Sequence, residues 1–292
     1  MDLFTKKLIH LQHCPWIGWK SIYLLLKKDP NLDELYNYSS SYYSSLLNIS
    51  SPQSSQIIKH LQQPIEPTLQ VYESKKISFI PLYSEKYPKL LSYLPQPPWG
   101  LYALGDLSLL SFERKLAIVG ARKADEYGLQ SIQLLMPKLV EHQCVIVSGL
   151  AKGIDIFAHK EAMKLSGRTI AVIAGGFQHL YPAENVSFAR EMAKTQLILS
   201  EYPPNTRPEK WQFPARNRII SGLSLGTLVI QAGKRSGSLI TAYCALEQGR
   251  DVFCIPGKIN DPLSEGTNDL INDGAKLVRT SEDILNELIK NG

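Results

Sequence analysis

L-A-I-V-G-A-R-K-A-D-E-Y-G-L-Q-S-I-Q-L-L-M-P-K-L-V-E-H-Q-C-V-I-V-S-G-L-A-K-G-I-D, residues 116–155, is the stretch on which the fold turns. It contains two short apolar runs, at 116–119 and 145–147, whose length and Val/Ile content suit strands buried on both faces. Between them Ile132, Leu135, Met136, Leu139 and Val140 recur at the spacing of one helix face. A helix-length crossover between two such strands predicts parallel pairing. The alternation continues through apolar runs at 170–173, 197–199, 228–230 and 252–255. Residues 111–292 therefore predict an α/β unit, an extended Rossmann-like, doubly wound, mostly parallel sheet with helices on both faces.

Outward from this region the pattern changes. Residues 1–65 show helical periodicity in Leu3, Leu8 and Leu11, in Ile22, Leu25 and Leu26, and in Ile57, Ile58 and Leu61. They predict a small all-α domain, with loops and short helices through the Ser-rich stretch that Leu46, Leu47 and Ile49 interrupt. Residues 66–110, punctuated by Pro67, Pro81, Pro88, Pro95, Pro97 and Pro98, read as a connecting region packed on the sheet domain, with one short strand at 77–80.

Composition narrows the classes. With 292 residues, 44% hydrophobic and 20% charged, the chain has room for two domains and is too apolar for a mostly disordered protein. No apolar run approaches the roughly 20 residues of a membrane helix. Lys6, Lys7, His10 and His13 interrupt the first apolar stretch, unlike a secretion signal, so a cytoplasmic protein is expected. The formal charge of +5 permits polyanion binding, which depends on a local stripe of cations more than on the total. Cys14, Cys144, Cys244 and Cys254 form no CxxC pair, and no second ligand pair follows His10, His13 and Cys14, so neither a metal nor a cofactor is expected.

In a doubly wound sheet, ligands bind beyond the carboxyl ends of the strands. Four of those ends are rich in Gly, Ser or cations: Gly120-Ala121-Arg122, the run S-G-L-A-K-G at 148–153, Gly175-Gly176, and G-K-R-S-G-S at 233–238. Glycines let backbone amides approach an anion, and helix starts add unpaired N–H donors. Each glycine alone reads first as a tight turn, with Asp155, Ser236 or Ser238 as helix caps. Their convergence on one edge favours a phosphate surface. No GxGxxG follows the first strand and no GxxxxGK[ST] occurs, which disfavours a standard dinucleotide site and familiar nucleotide hydrolysis. GxSxG and HExxH are also absent. In F-P-A-R-N-R at 213–218, beside Trp211, two arginines could grip phosphates or pair with acids inside the fold.

Seven motifs in order resemble the DNA-processing protein A (DprA/Smf) family: I-V-G-A-R at 118–122, S-G-L-A-K-G-I-D at 148–155, Y-P-A-E-N at 181–185, S-E-Y-P-P at 200–204, F-P-A-R-N-R-I-I-S-G-L-S at 213–224, S-G-S-L-I-T-A at 236–242 and G-R-D-V-F-C-I-P-G at 249–257. P-W-I-G-W-K-S-I at 15–22 is similar to the sterile-alpha-motif or helix-hairpin-helix-like domain at the front of that family; it reads equally as a plain helix–helix turn. The resemblance implies a non-enzymatic, single-stranded DNA-binding recombination mediator. Such a protein protects incoming strands and loads the RecA recombinase against single-strand binding protein during natural transformation.

Carried over, the resemblance places Gly120, Arg122, Ser148, Gly149, Lys152, Gly175 and Gly176 in the DNA pocket, with Arg216, Asn217, Arg218, Ser236 and Ser238 at or under its rim. Arg122 is the foremost phosphate contact and Phe177 the aromatic for base stacking. Where some relatives carry a base in YPxxN this chain has Ala183, and Lys234 is the expected replacement. A homodimer is implied through Leu270, Ile271, Leu277 and Val278, with Leu246 near the RecA contact. Relatives with a winged-helix domain extend past the position of Gly292, so no duplex contact of that kind is expected. The alternative is a Rossmann-like nucleotide binder or nucleoside-monophosphate hydrolase, although the PGGxGTxxE-like segment of those enzymes has no counterpart here.

Overall fold

The computed structural model describes residues 1–290. Five helices lead: α1 (Leu3–His13), α2 (Trp19–Lys28), α3 (Ser40–Leu47), α4 (Ser51–Leu61) and α5 (Glu66–Ser74). The serines of this region serve as helix caps. Ser39 accepts from the Tyr42 N–H, and Ser50 and Gln53 form a reciprocal capping box at the start of α4. The periodic residues Leu8, Leu11, Ile22, Leu25, Ile57 and Leu61 meet in one buried cluster around Tyr43, whose hydroxyl donates to Leu35 O at 2.8 Å.

Then follow β1 (Ile77–Pro81), α6 (Lys89–Ser92), β2 (Gly100–Gly105), β3 (Lys115–Val119), α7 (Glu126–Glu141), β4 (Val145–Ser148), α8 (Ile154–Lys164), β5 (Thr169–Ile173), α9 (Val186–Met192), β6 (Leu197–Ser200), α10 (Gln212–Gly222), β7 (Gly226–Val229), α11 (Gly237–Glu247), β8 (Asp251–Cys254), α12 (Glu265–Asn272), β9 (Lys276–Leu277) and α13 (Glu282–Lys290). The strands form one sheet in the order β1-β2-β6-β5-β4-β3-β7-β8-β9. From β6 to β9 every neighbour is parallel; β1 and β2 are antiparallel additions at the β6 edge.

The continuous apolar runs arise because alternate residues of each strand face opposite helix layers. In β3, Ala117 and Val119 belong to the cluster that includes Ile219, Ile220, Ala242 and Ala245, while Leu116 and Ile118 belong to that of Ile132, Leu135, Met136 and Leu139. β4, β5 and β6 lie on one side of β3 and β7, β8 and β9 on the other, so strand order reverses between β3 and β7. That reversal opens the carboxyl edge to a ligand.

Two features differ from the sequence expectation. Residues 66–110 supply the expected short strand as β1 and, beyond the expectation, a second strand, β2, so that the connection joins the sheet, the register running from Ile77↔Leu104 to Pro81↔Gly100. The prolines around 95–98 hide β2, because they sit at its approach and leave its own ladder intact. The sheet also gains the two-residue β9. Finally, the helical front is tied to the sheet by two tryptophans: Trp19 Nε1 donates to Pro97 O (2.7 Å), Trp99 Nε1 donates to Trp19 O (3.0 Å), and the two rings stack.

Candidate nucleic-acid interface

At the carboxyl end of β4 the chain makes a tight turn into α8, with Leu150 at φ 57° and Gly153 at φ 71°. The Gly149 N–H donates to Asp155 Oδ2 at 3.1 Å, which draws the first turn of α8 under the loop. Beneath it lies Arg216 of α10, only 6% exposed, whose Nη1 donates to Val172 O of β5 at 2.7 Å. A Cβ at Gly149 would stand 1.8 Å from Arg216 Nη1 and 2.6 Å from Asp155 Oδ2, so glycine is required for the guanidinium to reach this place.

Arg216 and Asp155 are both buried, and burial dominates both. It pushes the Asp155 carboxyl up despite the attraction of Arg216, and pulls Arg216 down to about 10 despite the attraction of Asp155, with Arg122 repelling it further. The guanidinium stays charged at neutral pH. Its Nε is buried without a hydrogen-bond partner, a costly condition.

The cleft above this floor is lined by Arg122, Gly149, Lys152, Tyr181, Phe213 and Arg216, among others. Arg122 is exposed at its mouth. Lys152 pairs with Glu184 at 2.6 Å, with both side chains about half exposed (49% and 55%), so the pair is readily exchanged for a stronger anion. Tyr181 and Phe213 meet edge to face with ring centroids 5.6 Å apart. Cations at the floor and mouth with an aromatic wall suit a phosphate attached to a planar base.

The structure thus brings Arg122, Gly149, Lys152 and Arg216 together. Gly120, half-buried, packs against Ile154 just behind them. Other expected residues are placed differently. Ser148 is fully buried, its hydroxyl donating to Ile118 O at 2.6 Å to tie β4 to β3. Gly175 borders an adjoining cleft with Tyr181 and Phe213, while the Gly176 amide is taken up by Thr206 O at 2.8 Å. Phe177 is half-buried against the Leu150–Ala171–Met192 cluster, so the aromatic wall is made by Tyr181 and Phe213 instead. Both aromatics stand in the quoted motifs, Tyr181 opening Y-P-A-E-N and Phe213 opening F-P-A-R-N-R beside the two arginines.

Arg218 is paired with Glu201 at 2.5 Å on the far side of α10 from Arg216's partners. The Asn217 amide donates to Gly237 O at 3.2 Å, bracing α10 on α11. Ser236 caps α11 and contacts Ser238, which is buried. Lys234 is exposed one loop further along the edge. Of the residues expected between two copies, Leu270 (3% exposed) and Val278 (1%) are buried within this chain; Ile271 is half-buried and Leu277 is 43% exposed. The buried pair faces the chain's own core because α12 and β9 both pack on β8.

Comparison with known proteins places these motifs. The profile of the family described as DNA recombination-mediator protein A matches residues 78–289. The chain is 50% identical over 231 residues to the DNA processing protein DprA of Bacillus subtilis, covering 79% of this chain and 78% of that one. It is 46% identical over 215 residues to DprA of Streptococcus pneumoniae, covering 74% and 76%. Among solved structures, DprA of Streptococcus pneumoniae superposes with a TM-score of 0.84 at 38% identity, covering 98% and 99% of the two chains. DNA processing protein A of Helicobacter pylori, whose structure addresses its unique single-stranded DNA binding mode, gives 0.66 at 35% identity, covering 74% and 96%.

Proposed function

The chain belongs to the DNA recombination-mediator protein A family, and we propose that its cleft holds single-stranded DNA, with Arg122 and Arg216 on a phosphate and Tyr181 or Phe213 against a base. The observation that carries this reading is the buried, charged Arg216 beneath Gly149 lining the cleft, with a second arginine, Arg122, lining it as well. Single strands fit the narrow cleft because their bases are free to leave the backbone line and lie on an aromatic ring. The solved Helicobacter pylori relative, described as a single-strand binder, supports the same substrate class.

On this reading the chain acts by holding and handing over strands, not by cutting them. It protects incoming DNA and helps a RecA-type recombinase displace single-strand binding protein, in the cytoplasm. Filament assembly on strands precoated with single-strand binding protein, with and without this chain, tests that step; equal rates would remove it. A homodimer across Ile271 and Leu277 belongs to the same proposal, and a Leu277→Glu variant that still sediments as a dimer would sink that assignment. No described helix is long and apolar enough to cross a membrane.

The direct test is a fluorescence-anisotropy titration with single- and double-stranded oligonucleotides of equal length at two salt concentrations. The expected result is salt-sensitive preference for the single strand. Arg122→Ala should bind about tenfold or more weakly, the worth of a hydrogen bond to a charged group. Absence of single-strand binding by the wild-type chain overturns the proposal.

A further inference from the structure

Beyond the cleft the carboxyl edge carries more cations than the cleft uses. Lys123 follows β3, Lys234 and Arg235 follow β7, and Lys258 follows β8; all four are exposed. Among the described residues, none of these side chains forms a hydrogen bond or ion pair. Two of the nearby carboxylates, Asp125 and Asp261, are otherwise engaged. Asp125 accepts from the Gly128 N–H (3.1 Å) and Gln231 Nε2 (2.7 Å), and Asp261 accepts from the Leu263 N–H (2.9 Å) and Ser264 Oγ (3.0 Å).

The loops that bear these cations are joined by backbone hydrogen bonds in a line across the sheet. The Ile154 N–H donates to Ala121 O (3.2 Å), the Ala121 N–H to Gln231 O (2.8 Å), and the Ala232 N–H to Leu263 O (2.7 Å). An Asp261 N–H to Lys258 O bond (3.1 Å) then closes the turn that presents Lys258. Neighbouring strands lie about 4.8 Å apart, so the line from β4 to β8 spans roughly 14 Å. Like charges kept this close on a braced edge repel one another, and a polyanion laid along them relieves the repulsion.

The geometry points to a second stretch of DNA-binding surface, a phosphate track that leaves the cleft and crosses the ends of β3, β7 and β8 over Lys123, Lys234, Arg235 and Lys258. It rests on the single-strand reading of the cleft and gives the bound strand a direction, toward β8 and away from β6. The track crosses the point between β3 and β7 where strand order reverses, the place at which a doubly wound sheet is most open.

The test uses two single-stranded oligonucleotides, one of about four nucleotides that the cleft alone can hold and one of about sixteen, lengths that bracket single-strand site sizes. Each is titrated against wild type and the triple variant Lys234→Ala, Arg235→Ala, Lys258→Ala. The variant should bind the short probe within twofold of wild type and the long probe at least about tenfold more weakly, with its salt slope reduced by about 2. Unchanged affinity and slope on the long probe would overturn the track and leave the cleft standing. Loss of the short probe would overturn it too, because those cations would then belong to the cleft. If wild type bound neither length, the cleft reading would fall and the track with it.

Discussion

α2 and α8 each start at a glycine, Gly18 in I-G-W and Gly153 in K-G-I, and from sequence both helix starts suit a phosphate. Their surroundings differ. Gly153 stands at φ 71°, and a Cβ there would fall 2.2 Å from Ala121 O, so the turn is pressed onto the Arg122 loop. Beneath it are Asp155 and the charged, partly unsatisfied Arg216. Gly18 has φ −116°, which any residue adopts, and nothing lies within 4 Å of its Cβ position. Its neighbour Trp19 is occupied by Pro97 O and the Trp99 ring, joining the helical front to the sheet. A glycine before a helix supplies approach; an anion site also needs cations brought in from distant elements, and α8 alone of the two has them.

The largest effect is expected from Gly153→Ala. A side chain in that left-handed region, against a backbone carbonyl, should cost about 2 kcal/mol of stability and displace the Arg122 loop. Urea unfolding should show the loss, and strand binding should weaken at least about tenfold. An unchanged midpoint would break the distinction between the two turns.

Acid should sharpen the contrast between the helical front and the sheet. Burial lowers His10, His13 and His60 in the front, His13 to about 4, and lowers His159 under β5 to about 3. A histidine whose folded pKa lies below its unfolded value near 6.5 gives full stability above about 6.5, and loses it as pH falls because the unfolded chain takes up the proton first. With three such groups against one, α1 and α4 should lose amide-exchange protection before β3–β5 on going from pH 7 to pH 5. Earlier loss in the sheet would contradict it. The smallest effect belongs to Gly18→Ala, expected to change stability by no more than about 0.5 kcal/mol and to leave strand binding as it was; a clear binding defect would make the front turn a DNA contact after all.

The parallel strands β3 to β8 were legible because burial on both faces leaves an uninterrupted apolar run. β2 was not, since prolines at 95–98 mark a break without saying that pairing resumes at Gly100. In the site, Arg122, Gly149 and Lys152 were readable from their place after a strand. Arg216 and Arg218 look alike in R-N-R, yet one turns out to floor the cleft and the other to pair with Glu201. Leu270, Ile271, Leu277 and Val278 look equally apolar, yet two are inside the chain.

Periodicity, glycine positions and motif order are local properties, written along the chain in the steric and hydrophobic preferences of neighbouring residues. They were enough for the fold class and for the edge that carries the cleft. Which cation is neutralised, which aromatic stays accessible and which apolar face remains open depend on partners far away in sequence. Only packing brings Glu201 to Arg218, Glu184 to Lys152 and Tyr181 to Phe213, because charge pairing and ring contact act through distance in space, which the order of residues does not state.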